Sequence, residues 1–265
     1  MYDLTYRKPE TLAEAARLLE EDEDAQILAG GMTLLPTLKL RLAQPTQLVD
    51  LSGIETLYGI RDHGDAIEIG AMTPHADVAG SVLVQEKIPA LAHLAGRIGD
   101  PQVRHRGTLG GSVSNSDPAA DYPAGVLGLG ATLVTDRREI SADDFFIDLF
   151  ETSLHLGEIL AAIRFPVPSR CGYVKFPNPA SRYAIVGVFV ADFGGAVRVA
   201  VTGAGPCAFR VPAFEAALND RFSADALGGI AVDGSDFNED LHATPAYRAH
   251  LVGVMAKRAV QAAGG

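Results

Sequence analysis

Arg104-His105-Arg106-Gly107-Thr108-Leu109-Gly110-Gly111-Ser112-Val113-Ser114-Asn115-Ser116-Asp117-Pro118-Ala119-Ala120-Asp121 is the stretch on which the reading turns. It is rich in Gly, Ser and Asn and poor in apolar periodicity, so it reads as a functional loop rather than a helix or buried strand. Paired glycines at Gly110 and Gly111 allow positive φ, which would turn successive N–H groups onto one concave side and make an anion nest without a lysine. A shorter stretch of the same character, Ala29-Gly30-Gly31-Met32-Thr33, follows the apolar pair Ile27-Leu28 and precedes Leu34. Paired glycines ordinarily serve tight turns. Two such segments, each with Thr or Ser to supplement the backbone donors, imply one extended ligand carrying two negative charges. Asn115, Asp117 and Asp121 add side chains suited to sugar hydroxyls.

The surrounding chain fits a soluble protein with a sizeable core. It has 265 residues and a formal net charge of −11. No basic stripe is long enough to track a nucleic-acid backbone or an anionic membrane. Any bound phosphate must therefore be held largely by backbone dipoles. The N-terminal residues lack the pattern of a secretory signal, and the expected location is cytoplasmic. Cys171 and Cys207 have no zinc or iron–sulfur spacing and read as free thiols. The seven histidines show no metal-binding pair.

Helices are expected from Thr11 with Glu14 as a capping box, from Thr33 with Leu34, Leu35, Leu38 and Leu42 as the buried side, from Thr73-Pro74, and over 88–98. Strands are expected at 26–29, 48–51, 67–71, 131–135 and 159–165. Pro166-Val167-Pro168-Ser169-Arg170 breaks both periodicities and marks a domain boundary. Beyond it, 184–191 and 196–202 read as an antiparallel hairpin across Phe193-Gly194-Gly195. Helices follow at 212–218 and from Pro245 to about 262, the latter capped by Thr244.

Several chemistries fail on spacing. Gly128-Leu129-Gly130 lacks the third glycine of a Rossmann fingerprint, and no segment has the Walker pattern with its lysine. Gly110-Gly111-Ser112-Val113-Ser114 misses the last glycine of a nucleophile elbow. Binding of an anionic cofactor remains.

Six stretches then resemble the FAD-binding medium subunit of molybdenum hydroxylases, the family that includes aerobic carbon monoxide dehydrogenase and, as a fused domain, xanthine dehydrogenase. They are Tyr6-Arg7-Lys8-Pro9, residues 29–35, Leu48-Val49-Asp50-Leu51, Ile69-Gly70-Ala71-Met72-Thr73, residues 106–111 and residues 117–121. Tyr173-Val174-Lys175-Phe176 and Ser181-Arg182-Tyr183-Ala184 match as well, so the resemblance runs end to end. Met32, where many relatives have a small or polar residue, and Ser112, where Asn is frequent, depart from the family pattern without removing backbone donors.

The resemblance implies an α+β chain. A two-subdomain FAD-binding fold of the vanillyl-alcohol-oxidase/PCMH type over 1–168, divided at about 55, would be followed by a C-terminal domain of antiparallel sheet and helices over 169–265. It implies that Ala29, Gly30, Gly31, Met32, Thr33 and Leu34, with Thr108, Gly110, Gly111 and Ser112, hold the FAD pyrophosphate. Asn115 and Asp121 would meet the sugar or ribityl part, Leu160 would pack on the flavin or adenine, Lys175 would sit near the ring and Tyr183 against its face. No catalytic acid or base is expected on this chain. The implied partners are a large subunit with the molybdenum cofactor and a small subunit with [2Fe–2S] clusters, as a dimer of heterotrimers. The alternatives are a stand-alone FAD oxidoreductase, which would need acid–base groups over the flavin, and a non-redox nucleotide-binding protein.

Overall fold

Alternating helix and strand patterns at the start of the chain build a small parallel sheet. The computed structural model describes residues 1–265. Strand β1 (Thr5–Arg7) is followed by helix α1 (Leu12–Glu20), β2 (Ala25–Leu28), α2 (Leu34–Lys39) and β3 (Gln47–Asp50), and the strand order is β1-β3-β2, all parallel. Thr11 caps α1 by accepting from the Glu14 N–H at 3.2 Å. Ala15 and Leu19 of that helix pack with Val49 and Leu51.

The second unit is a five-stranded antiparallel sheet in the order β4-β5-β10-β6-β7. Strands β4 (Ile60–Asp62) and β5 (Ala66–Gly70) lead into a run of helices: α3 (His75–Gly80), α4 (Val82–Lys87), α5 (Pro89–Gly96), α6 (Pro101–Arg106), α7 (Leu109–Asn115) and α8 (Tyr122–Gly128). The sheet is completed by β6 (Thr132–Thr135), β7 (Glu139–Ser141) and, after a small hairpin β8 (Phe146–Asp148) and β9 (Glu151–Thr152), by β10 (Leu160–Pro166). Ile67, Ile69, Leu133 and Ile163 from the sheet and Leu91, Leu94 and Val113 from the helices share its main core.

The last unit is an antiparallel sheet of β11 (Arg170–Pro177), β12 (Ala184–Asp192), β13 (Val197–Thr202) and β14 (Phe209–Arg210), with α9 (Pro212–Asp220) and α10 (Pro245–Ala262). Every residue of β12 is buried, because both faces are covered. The pleat sends alternate side chains to opposite faces. Phe189 and Ala191 accordingly join the core under α8, while Val186, Val188 and Val190 join the core under α10. This is why 184–191 reads as a continuous apolar run rather than an alternating one. The architecture is the expected α+β one.

Two sequence readings need correction. Residues 104–121 are not one loop: α6 and α7 occupy much of the stretch, and α7 is a helix despite its two glycines. Its N-terminus is fixed by Thr108 Oγ1, which accepts from the Gly111 N–H at 3.1 Å, and Leu109 and Val113 anchor it in the core. The buried side of α2 is narrower than its leucines imply. Only Leu38 is buried within the helix, and Leu42 lies past the helix end and is exposed.

Candidate functional site

The end of β2 delivers the first glycine segment to the rim of a cavity of about 650 Å³ that also touches α7, β10 and the turn before β12. Ala29, Gly30, Gly31, Met32, Thr33 and Leu34 line it on one side, and Thr108, Gly110, Gly111, Ser112 and Asn115 on the other. Asp121, Leu160 and Tyr183 complete the set expected from sequence. Lys175 is the exception, lying behind the wall.

The two glycine segments do different jobs. None of the backbone N–H groups from Ala29 to Thr33 donates a hydrogen bond within the protein. Gly31 has φ +72°, the left-handed conformation that glycine tolerates, and this bends the segment into a concave turn. Five successive donors are left without a protein partner, the feature that an anion nest requires. Thr33 sits at the N-cap of α2 with no cap bond from its side chain.

The second segment is not such a nest. Gly110 and Gly111 are helical rather than at positive φ, and their donors are used: the Leu109 N–H donates to Thr73 O, the Gly110 N–H to Ala71 O and the Ser112 N–H to Thr108 O. These glycines serve close approach instead. A Cβ on Gly110 would lie 2.5 Å from Ala71 Cβ, and one on Gly111 2.8 Å from Thr108 Oγ1. Gly30 joins the two walls, since a Cβ there would fall 2.0 Å from Arg106 O. The hydroxyls of Ser112 and Ser114 and the amide of Asn115, all in the cavity wall, make no hydrogen bond within the protein.

Polar side chains at the far end are more constrained. Asp121 lines the cavity but is only 4% exposed, and its carboxylate is engaged: Lys175 Nζ lies 2.8 Å away and the Tyr173 hydroxyl donates to it. Lys175 also donates to Arg97 O at 3.0 Å. Burial pushes the Asp121 carboxyl up, opposed by Lys175 and by the hydrogen bonds to Lys175 and Tyr173. Lys175 thus acts through Asp121, not at the cavity surface. Burial also pushes Asp117 up, against the Ala119 N–H that donates to it, and it pushes the Tyr183 hydroxyl up with help from the Asp117 charge.

Among the wall residues that escaped sequence reading are His75, Ile98, Gly99 and Arg182. Arg182, at φ +64°, reaches across to donate to Gly99 O at 3.0 Å, and Arg104 donates to Ile98 O and Gly99 O from the other side. Arg104 is therefore a tie for the 98–99 turn, while His105 and Arg106 are exposed. The one sequence signal for His75 was its place directly after Thr73-Pro74, which reads as a helix start. Pro74, not Thr73, holds the N-cap position, and Thr73 Oγ1 instead donates to Gly59 O at 3.2 Å.

A large cavity with a run of unpartnered backbone donors in its wall suits an anionic cofactor. The family model described as the FAD binding domain in molybdopterin dehydrogenase matches residues 2–168. The chain belongs to that family. Among its relatives, the carbon monoxide dehydrogenase medium chain of Hydrogenophaga pseudoflava is 36% identical, with 97% of this chain and 96% of that one covered. The nicotine 6-hydroxylase medium subunit of Paenarthrobacter nicotinovorans is 34% identical, covering 98% and 97%. In three dimensions the chain matches carbon monoxide dehydrogenase from Hydrogenophaga pseudoflava with a TM-score of 0.88 over 99% of this chain and 98% of that one. As a member of the FAD-binding molybdopterin dehydrogenase family, the protein is an oxidoreductase flavoprotein subunit of a multisubunit enzyme. The stand-alone oxidoreductase and the non-redox binding protein are left without support.

The residues present fit FAD. Free N–H donors and the unpartnered hydroxyls of Ser112 and Ser114 line the cavity, and the glycines at Gly30 and Gly110 let its walls pack closely against Arg106 O and Ala71. No helix of the chain is long and apolar enough to cross a membrane. No group of three or more His, Cys, Asp or Glu residues could hold a metal ion.

Proposed function

We propose that Ala29 to Thr33 hold the FAD pyrophosphate through their backbone donors, with Ser112 and Asn115 adding side-chain hydrogen bonds from the facing wall. The observation that carries this reading is the run of unpartnered N–H groups in the cavity that α7 also lines. Leu160 offers an apolar surface for a ring. Tyr183, half exposed at the rim, covers one face of the cofactor. Asp121 meets the cofactor only at its edge, and its pairing with Lys175 sets the charge behind that edge at zero. This replaces a lysine near the flavin ring with a neutral buried pair.

When bound, FAD supplies the electron-transfer chemistry, and the protein supplies position, exclusion of water and local charge. Electrons arrive from [2Fe–2S] clusters of a small subunit, after substrate oxidation at a molybdenum cofactor in a large subunit, and leave for an external acceptor. The subunits assemble as a dimer of heterotrimers in the cytoplasm. Relatives of almost equal similarity bear the names of different substrates, carbon monoxide and nicotine. This supports a substrate choice made on the large subunit. The FAD-binding unit spans residues 1–168, with subdomains about 1–55 and 56–168, and the C-terminal unit spans 169–265.

The test is purification of the chain with the subunits that accompany it, followed by a visible spectrum and metal and sulfide analysis. One FAD per medium chain, together with molybdenum and iron–sulfur clusters in the complex, is the expected result. A complex without flavin, or a solitary chain that oxidises substrate unaided, overturns the reading.

A further inference from the structure

Behind the glycine segments, two neighbouring rings carry polar atoms that no protein group satisfies. His75 Nδ1 and the Tyr122 hydroxyl are shut off from solvent and make no hydrogen bond. The rings lie 5.3 Å apart, tilted by 50°. His75 is only 4% exposed, yet it forms part of the cavity wall. Its backbone is fixed by its N–H, which donates to Gly107 O at 3.0 Å. A Cβ on Gly107 would come within 2.6 Å of Nε2, so the Nε2 edge of the ring lies against Gly107, itself a wall residue packed on Gly30.

The orphaned nitrogen decides the tautomer. Burial, with the charge of Arg104, holds the imidazole neutral, its pKa lowered to about 4. A neutral imidazole carries one N–H, on either nitrogen. On Nδ1 it would be a buried donor with nothing to accept it, and orphaned donors are rarer and costlier than under-satisfied acceptors. The proton therefore sits on Nε2. The Tyr122 hydroxyl, kept protonated by burial and by Asp121, likewise has no partner.

We infer that His75 is a cofactor-binding residue that donates its Nε2–H into the cavity, to an oxygen acceptor of FAD on the pyrophosphate or on a ring carbonyl. This rests on the FAD reading and deepens it. The donor is neutral, so it fixes orientation without adding charge next to the backbone nest.

The test uses wild type, His75→Gln and His75→Leu, each purified in the complex. Glutamine keeps an N–H near the Nε2 position; leucine fills the space and keeps none. The expected result is at least a fivefold loss of retained FAD in His75→Leu and retention within twofold in His75→Gln. A shift of the flavin absorption bands in His75→Leu places the acceptor on the ring; a shift in the phosphorus NMR of the residual FAD places it on the pyrophosphate. A purely packing role predicts the opposite order, with leucine tolerated and glutamine harmful, and that order overturns the inference. So does unchanged flavin content, spectrum and phosphorus signal in His75→Leu. If that variant does not fold, ¹⁵N-histidine NMR of the full chain decides: an Nε2–H signal, identified by its loss in His75→Gln, is expected, and an Nδ1–H tautomer refutes the idea. Wild-type complex lacking FAD would instead overturn the proposed function, with the tautomer measurement unaffected.

Discussion

Gly30, Gly31 and Gly110 look alike in the sequence and are required for two different reasons. At Gly31 the reason is φ of +72°, a conformation that costs an L-residue about 1–2 kcal/mol. At Gly30 and Gly110 it is the neighbour, Arg106 O in one case and Ala71 in the other. The distinction has a measurable consequence at Gly110. A loop glycine turned outward would accept a methyl group with the fold intact. Gly110 is buried in a helix whose N–H is bonded to Ala71 O at 2.8 Å, so Gly110→Ala must push α7 off the Ala71 backbone. Overpacking of this kind costs about 1–3 kcal/mol. Urea unfolding should show that loss, with FAD content falling because Ser112 and Asn115 move with the helix; a variant of wild-type stability would mean that α7 sits more loosely than its packing indicates.

Helix α8 and strand β11 meet through a pair of charges that the sequence separates by more than fifty residues. Asp121 precedes α8, Lys175 lies mid-strand, and each is almost wholly buried, with side chains 4% and 2% exposed. Removing one partner strands the other. Lys175→Met should destabilise the protein by about 3–5 kcal/mol, whereas the double variant Asp121→Asn with Lys175→Met should recover most of that loss. Chemical denaturation of wild type, both single variants and the double variant checks it, and an additive double variant would show the two residues to be uncoupled. This pair also marks where sequence reading ran out. Elements set by local pattern were legible: the Thr11 and Thr244 caps and the β12–β13 hairpin occur where periodicity and turn residues put them. The first glycine segment was legible as a turn, because its conformation is set by the backbone of Gly31. Helix α7 was not, because Leu109 and Val113 hold a glycine-rich segment helical through burial that local composition does not reveal. His75 and the Asp121–Lys175 pair were hidden for the same reason, as their roles come from contacts between distant segments.

Across the whole molecule, the C-terminal sheet supports the site through its β11–β12 turn and is not an appendage. Tyr173 and Phe189 belong to the same core as Ile67, Leu91 and Leu133. The loop that carries Asp121 is stitched to that sheet: Thr202 Oγ1 donates to Ala120 O at 2.6 Å, the Gly203 N–H to Pro118 O at 2.7 Å and the Ala184 N–H to Ala119 O at 3.1 Å. Arg198 closes the end of α8 by donating to Leu127 O at 2.9 Å. A chain ended after Pro168 would keep both glycine segments and every N–H of the nest, but it would bare the α5 and α8 faces, leave Asp121 without Lys175 and Tyr173, and lose the Tyr183 and Arg182 side of the cavity. Exposed apolar core on that scale favours a loosely packed state over a cooperative fold. The truncated chain should therefore show a broad, non-cooperative melt, bind a reporter dye for exposed apolar surface, and retain no FAD, although it contains the whole segment matched by the family model. A sharp calorimetric transition with bound flavin would mean that the nest and the five-stranded sheet are sufficient by themselves. Strand β12 argues against that outcome, because one of its faces joins the core under α8 and the other the core under α10, and it cannot be removed from one alone.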